Sequence, residues 1–425
     1  MRSATDPASR EPVRPQGADA APRRVVVDRR AFAVLFLALT CVGLGQAILF
    51  AILPPAAREI GLTPLQVSII FVVSASIWMF MSPFWGRRSD VVGRRSVILV
   101  GLMGFAASML LLGTAILIGL RGALPVMLVY ALMIASRCVF AVFGSGAPPA
   151  SQAYVADHTR IEDRTRGVSM LNAAFGLGQT LGPAAGAIFA SYGVVAPLYF
   201  SVLLALLSAA AVWMYLGEDI PVAVGQHRET RERTIKFYDA RVWPFFALAA
   251  CLQAVRSTTT ITLAFFLQDS LALNSEDTVR AAGVGFVALA VAGVFTQVVV
   301  VQRLRPTSRR MLRVGLATAL AGFLVFIASS DMIGYSCALA MLGAGFGLIR
   351  PGAASGASVS VSAEEQGEVA GMTSSVGVIG NILGPIIGTS LYELTPMAPY
   401  WLNASIMTGA LIFAMSSGVV RRVRG

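Results

Sequence analysis

Three arginines stand deep inside long apolar stretches of the sequence: Arg137 within 124–152, Arg256 within 242–268 and Arg350 within 332–358. A guanidinium stays charged in a protein and presents five N–H donors in a planar fork. Its chemistry is therefore recognition of anions and carbonyls rather than proton transfer. No aspartate, glutamate or histidine lies at comparable depth. Glu59, Asp157, Asp269, Asp331 and Glu393 fall at the ends of apolar stretches, and His158 and His227 lie between them. A nucleophile–base pair and a set of metal ligands at usable spacing are both missing from the interior, which weighs against an enzyme and against a metal centre. The pattern G-x-x-x-x-G-K is absent too, so ATP is not expected to drive the molecule and no cofactor is expected.

Further polar side chains accompany the arginines. Gln253, Arg256 and Thr260 recur at helical spacing with Ser257 beside them, giving one polar face. Gln46 is the approximate counterpart of Arg256, since Cys41 and Cys251 share the same 210-residue shift. A charged side chain at the centre of a bilayer costs about 2.5–3.5 kcal/mol on insertion scales, so each arginine should face a wet cavity or a partner. Gln46, Arg137, Gln253, Arg256, Thr260 and Arg350 are thus the candidate substrate-binding residues of an electropositive cavity. Anionic, zwitterionic or neutral carbonyl-rich solutes would suit it. Cys41, Cys138, Cys251 and Cys337 read as small packing residues.

Such residues need a membrane-embedded scaffold. Of 425 residues, 56% are hydrophobic and only 13% charged, against about 25% charged in soluble domains. Twelve apolar segments follow one another: 31–53, 64–85, 96–120, 124–152, 167–191, 195–216, 242–268, 279–301, 311–330, 332–358, 369–392 and 397–420. Each is long enough to cross a hydrocarbon core of about 30 Å as a helix. Residues 1–30, with Pro7, Pro12, Pro15 and Pro22, read as a disordered tail without the features of a signal peptide. The expected organisation is a tail over 1–30, a six-helix half over 31–216, a linker over 217–241, a second half over 242–420 and a short tail over 421–425.

The net charge of +11 arises from 33 basic and 22 acidic residues. Placed on the spans, 27 of those basic residues fall on the side of the two termini, while Arg58, Arg121 and Arg280 fall on the other. By the positive-inside rule both termini are cytoplasmic. The charge is a topology signal with anionic-lipid contact as a consequence, and nucleic acid is not expected as a partner.

The chain also repeats itself. Gly178, Gly182, Pro183 and Gly186 recur 202 residues later as Gly380, Gly384, Pro385 and Gly388, and Pro149 falls over Pro351. Glycines four apart let helices approach closely, and a proline removes one backbone hydrogen bond and permits a bend. Two copies in register, each in the fifth span of its half, favour a duplicated transporter with a pathway between the halves.

At the loop after the second span, Gly86-Arg87-Arg88-Ser89-Asp90-Val91-Val92-Gly93-Arg94-Arg95 resembles the major facilitator signature G-x-x-x-D-R-x-G-R-R, with Val91 in place of a basic residue. The run 178–186 resembles the motif of that superfamily's drug:proton antiporter branch, with Ala187 where a second glycine is usual. Phe266-Leu267-Gln268-Asp269 with Leu271 and Leu273, and Glu364-Glu365-Gln366-Gly367, are similar to that branch as well. Arg137 resembles the arginine the branch carries in its fourth span, with Phe140 and Ala141 where glutamine and glycine are usual. The resemblance covers roughly 30–420. It implies an all-α integral membrane protein with 12 transmembrane helices in two pseudo-symmetric halves, and a cavity lined by the first and fourth helices of each. It also implies a proton-linked exporter of a small organic solute, monomeric in the lipid bilayer of a bacterial cytoplasmic membrane.

In the loop signature, Gly86 and Gly93 are expected to permit a tight turn. Asp90 is expected to accept hydrogen bonds from a helix N-terminus or an arginine such as Arg94 or Arg95, forming a conformational latch. Proton coupling normally needs a carboxylate or histidine, and the interior has none. The antiport expectation therefore rests on resemblance, with Asp157, Asp269 and Glu59 as peripheral candidates. An importer or exchanger of an organic anion is the alternative within the fold, and a non-transporting receptor is the alternative outside it.

Overall fold

The computed structural model describes residues 29–159, 161–217, 238–239, 241–304, 306–362 and 365–416. The expected N-terminal tail, nearly all of the linker and the C-terminal tail lie outside the described residues. Among the described residues the chain forms twelve long helices and no strand. In chain order they are α1 (Arg29–Ile60), α2 (Pro64–Val92), α3 (Arg94–Leu120), α4 (Val126–Asp157), α5 (Ile161–Ala190) and α6 (Ala196–Tyr215). The second set is α7 (Trp243–Ser270), α8 (Ser275–Leu304), α9 (Ser308–Ala328), α10 (Met332–Val359), α11 (Gln366–Leu394) and α12 (Ala398–Ser416). Helix is the expected form here, because hydrocarbon offers no partner to a backbone N–H or C=O and a helix satisfies both internally.

Ten of the twelve are long and apolar enough to span a membrane on length and composition alone. The two that fall short, α5 and α12, are diluted by Gly, Pro, Gln and Asn such as Gln179, Pro183, Pro399 and Asn403. α1 runs past the expected end at residue 53, through Pro54 and Pro55, to Ile60. α4 passes through a 3₁₀ turn at Gly144–Gly146 before Pro148 and Pro149, and the Val142 carbonyl at that break accepts from the Trp85 indole at 2.5 Å. α8 instead widens, through a π turn at Thr296–Val301.

The repeat is visible in atomic contacts. α5 lies so close on α1 that a Cβ at Gly178 would collide with the Thr40 carbonyl and the Leu44 amide. In the second half a Cβ at Gly380 would fall 2.6 Å from the Ala250 oxygen and 2.8 Å from the Ala254 nitrogen. Thr40 and Leu44 shifted by 210 are residues 250 and 254, just as Gly178 shifted by 202 is Gly380. Gly182 meets the Leu44 oxygen as Gly384 meets the Ala254 oxygen. Cross-helix hydroxyl bonds reinforce each pair: Thr40 Oγ1 donates to Ala174 O at 3.1 Å, and Thr258 Oγ1 donates to Gly384 O at 2.8 Å. The third glycine departs from symmetry, for Gly388 presses on Thr258 at 2.7 Å whereas Gly186 meets only Ile48 at 3.7 Å.

This yields a graded expectation. Gly178→Ala forces backbone against backbone and should cost about 1–3 kcal/mol, read as a lowered unfolding temperature in detergent. Gly186→Ala should be close to neutral. Equal unfolding temperatures for the two variants would refute the close α1–α5 contact.

Candidate functional site

Hydrogen bonds between the two halves are few and lie at one end. α1 ends, α2 begins, α7 and α11 end and α8 begins on the face opposite the chain termini. Arg58 of α1 forms an ion pair with Asp269 of α7, with Nη2 donating to Oδ2 at 3.1 Å and the guanidinium 5.3 Å from the Phe265 ring centre. Tyr392 of α11 donates to the same Oδ2 at 2.5 Å. Ser275 of α8 donates to Glu59, the Leu65 amide donates to Glu393 at 3.1 Å, and Thr389 Oγ1 donates to Ser68 Oγ at 2.9 Å. Among the described residues, every hydrogen bond crossing between α1–α6 and α7–α12 sits in this cluster. Three of its acceptors are carboxylates, the same groups that the sequence places at span ends. The molecule is thus closed on the face opposite the termini.

The expected cavity residues fall into three situations. Arg137 is only 2% exposed: Nη2 donates to Gln46 Oε1 at 3.1 Å and the guanidinium stacks 4.6 Å from the centre of the Phe140 ring. Its Nε and Nη1 have no partner. Phe140 supplies the π face that compensates part of the burial cost. Phe105 and Trp78 hold that ring, with centroids 5.6 Å and 4.9 Å away. Arg256 and Arg350, by contrast, are exposed. Gln253 is engaged with Asn381 of α11 at 2.6 Å, and Thr260 Oγ1 donates to the Arg256 carbonyl at 2.8 Å. The structure therefore joins Gln46 with Arg137 and Gln253 with Asn381. Asn381 and Phe140 were both readable in the sequence, but only as members of motifs, and nothing in their spacing marked them as partners.

Gln152 and Asn172 form a further pair between α4 and α5, Nε2 to Oδ1 at 3.0 Å. The four cysteines are unbridged; Cys41 is buried, but Cys251 and Cys337 are exposed, so packing does not account for those two.

The loop signature behaves as a joint within the first half. α2 and α3 are separated by Gly93 alone, at φ 98° and ψ 141°, a conformation that favours glycine. Gly86 is not part of that turn: it lies inside α2, where an added Cβ would have ordinary contact with Pro149 at 3.8 Å. Arg94 forms ion pairs with Asp90 and with Asp157 at the end of α4, the latter at 3.1 Å, and also donates to Ser89. Arg95 stacks 4.7 Å from the Trp213 ring centre and donates to its carbonyl at 2.5 Å, tying α3 to α6. Asp90 thus takes Arg94 as its partner, and the contacts formed here bind α2, α3 and α4 together.

On the same face of the second half, Arg241 bridges Asp239 at 2.7 Å and Glu365 at 3.2 Å, linking the entrances of α7 and α11. The Arg241 guanidinium holds the Asp239 carboxyl below its ordinary range. The Ser362 backbone amide, and then Arg241, do the same for Glu365. Depressed carboxylate pKa values stabilise the folded form above the ordinary carboxylate range, and this contribution is lost as pH falls through the lowered values. Thermal unfolding of the wild type and Arg241→Gln should therefore differ at neutral pH and converge in acid; a constant difference would contradict this.

A family model described as Major Facilitator Superfamily matches residues 35–385. The chain is 25% identical over 395 residues to Multidrug resistance protein 2 of Bacillus subtilis (strain 168), covering 90% of this chain and 94% of that protein. It is 26% identical over 404 residues to Tetracycline resistance protein, class G, of Vibrio anguillarum, covering 92% and 96%. Among solved structures, the human organic anion transporter MFSD10 (TETRAN) superposes with a TM-score of 0.61 at 20% identity, covering 93% of this chain and 100% of that one.

Arg58 and Asp269 are 32% and 36% exposed, so their pairing contributes little, about 0.2–1 kcal/mol by comparison with other exposed pairs. Replacing Ser68 and Thr389 by cysteine gives a reporter of closure at this face. Asp269→Asn in that background should lower the disulfide yield about 1.4- to 5-fold, the population shift that energy implies. An unchanged yield would exclude the ion pair as a clamp.

Proposed function

The chain belongs to the Major Facilitator Superfamily, and we propose that within it this multi-pass membrane transporter works as a secondary active exporter by alternating access. Its similarity to multidrug and tetracycline resistance proteins supports the export direction. One observation carries the mechanism: every described hydrogen bond between the halves lies at the face opposite the termini, while Arg256, midway along α7, and Arg350, nearer the terminal face, are exposed. That is one end-state of a rocking pair. The complementary state requires the cluster around Asp269 to separate and the terminal faces of the two halves to meet.

In this reading the termini are cytoplasmic, as the 27 basic residues on that side favour, and the membrane is the bacterial inner membrane. The protein acts as a monomer, since each half supplies its own pair of cavity helices. A solute entering from the cytoplasm meets Arg256 and Arg350 in the open cavity, with Gln253, Thr260 and Asn381 beside them. Arg137 and Gln46 lie sealed on the opposite wall and become reachable as the halves rock. The two free donors of Arg137 suit a carbonyl or carboxylate, and the cavity therefore prefers anionic, zwitterionic or carbonyl-rich solutes. The organic anion transporter sharing the fold is consistent with that preference.

Protons are the coupling ion in this proposal, taken up by carboxylates at the contact between the halves: Asp269, Glu59 and Glu393. Protonation removes the charge from the Arg58 pair and weakens the other acceptors, favouring separation. The described spans contain no carboxylate near the arginines, and this favours one second reading, exchange of organic anions without proton movement.

Transport into proteoliposomes under separately imposed pH and voltage gradients, with anionic, zwitterionic and cationic solutes, distinguishes these. Proton-linked export predicts solute flux that follows the pH gradient at zero voltage. Flux that ignores the pH gradient but requires a counter-anion would replace it with exchange, and no flux of any solute would sink the transport mechanism.

A further inference from the structure

The two halves treat the arginines of their terminal face differently. At the joint between α2 and α3, Arg94 is held by two carboxylates, Asp90 and Asp157. The joint between α8 and α9 is more basic and lacks such partners. Arg303, Arg305, Arg309, Arg310 and Arg313 fall within eleven residues, and the sequence holds no acid from residue 278 to residue 330. The bond that ties this joint to α10 is uncharged, with Ser308 Oγ donating to Ser355 Oγ at 2.9 Å, so it occupies no arginine. On the same face Asp239 and Glu365 are taken by Arg241, and Glu368 also has a partner. Among the described residues, Arg303, Arg309, Arg310 and Arg313 form no ion pair.

Two of these arginines share a helix face. Arg309 and Arg313 are four residues apart on α9, which puts their Cβ atoms about 6 Å from each other. That face looks toward α12, since Arg313 Nη2 reaches the Met415 carbonyl at 3.5 Å. Both side chains are half-buried, and the Nε of each is closed off without a hydrogen-bond partner. The terminal nitrogens of Arg309 are not closed off, and they too have no partner among the described residues. Packing thus holds the stem while the fork is left for an acceptor that the chain does not supply. Arg309 and Arg310 also stand in the first turn of α9, where the helix dipole favours anions and disfavours cations. Arg303, at the end of α8, and Arg310 are exposed.

The surroundings decide which anion fits. α9 is apolar and long enough to span the membrane, yet it carries these arginines in its first two turns, at the boundary of the bilayer. The neighbouring exposed side chains are apolar: Leu304, Val314 and Met415 are 72%, 55% and 52% exposed. A soluble anion would leave them bare. A lipid covers them with its acyl chains while its phosphate meets the guanidinium groups at headgroup level.

We propose that Arg309 and Arg313, with Arg303 and Arg310 at the rim, form a site for the phosphate headgroup of an anionic phospholipid in the leaflet on the side of the termini. The phosphate oxygens take charge-assisted hydrogen bonds from the guanidinium forks. The site consists of discrete residues, apart from the general attraction of a basic face for an anionic membrane, and it does not depend on what is transported.

The test is lipid binding to the purified full-length protein in mild detergent, measured by native mass spectrometry with phosphatidylglycerol and phosphatidylcholine of equal chain length. A basic residue near the surface strengthens the binding of anionic lipid about five-fold, so two of them predict about 10- to 30-fold tighter binding of phosphatidylglycerol. Arg309→Gln and Arg313→Gln should each lower that preference about five-fold. Arg88→Gln removes the same charge from an exposed residue on the same face of the first half, and should change the preference less than about two-fold. Unfolding temperature reports whether each variant folds. Arg309→Lys and Arg313→Lys, which keep the charge, should retain most of the preference and carry the test where a glutamine variant does not fold. Equal binding of the two lipids overturns the proposal. So does a loss from Arg88→Gln as large as that from Arg309→Gln, which would reduce the effect to overall charge. Displacement of phosphatidylglycerol by inorganic phosphate at equal concentration would assign the arginines to a soluble anion and overturn it as well.

Discussion

Backbone-to-backbone contact between α1 and α5, and its copy between α7 and α11, is the constraint from which the rest follows. A glycine against a carbonyl leaves no side chain to rearrange, so α1 with α5, and α7 with α11, form tightly packed pairs. Arg94 with Asp90 and Asp157, and Arg95 with Trp213, stiffen the first half further at its terminal face. At the seam between the halves the described hydrogen bonds are a handful at one end. The prolines in the tight helices, Pro183 and Pro385, lie inside continuous helices, so they act as gentle bends in rigid bodies rather than as breaks.

The charges divide along the same line. Carboxylates occupy the seam's closed end, where water is near and an acid is inexpensive to hold. Arginines occupy the interior, where a carboxylate without a partner would carry a similar desolvation cost. Arg137 reduces its cost with Gln46 and the Phe140 ring, and Arg256 and Arg350 reduce theirs by facing open space. Under the 210-residue shift the glutamine that caps Arg137, Gln46, is replaced by Arg256 in the second half.

Much of this was legible in the amino-acid order because the membrane leaves the chain few options. Apolar length gave the twelve helices, and the 202-residue repeat gave the paired α5 and α11 contacts, down to Gly178 and Gly380. The partner atoms escaped detection. Nothing in sequence spacing says that Gly178 meets Thr40 and Leu44, since that depends on how α1 and α5 are rotated about their axes. Gly86 looked like a turn residue because the motif is written as a loop, yet α2 continues through it and Gly93 alone makes the turn. Arg58 and Asp269 lie 211 residues apart. They could be recognised as charges at span ends, but their pairing is tertiary and had no local signal.

The strength of that seam bears on how such a molecule can cycle at all. A transporter must visit two states of comparable free energy, so contacts that define one state must be weak or replaceable. The Thr389–Ser68 bond is the buried one of the cluster, while the Leu65–Glu393 bond is exposed and the Arg58–Asp269 pair is about one-third exposed and worth little in isolation. A buried pair in the same place would cost several kcal/mol to break and would trap the closed face. The ion pairs of Arg94 and the α1–α5 and α7–α11 glycine contacts lie within the halves, and one further glycine contact, Gly283 of α8 on the Pro183 carbonyl and Ala187 of α5, crosses the seam. Ligand energy need then offset only the difference in free energy between the two states.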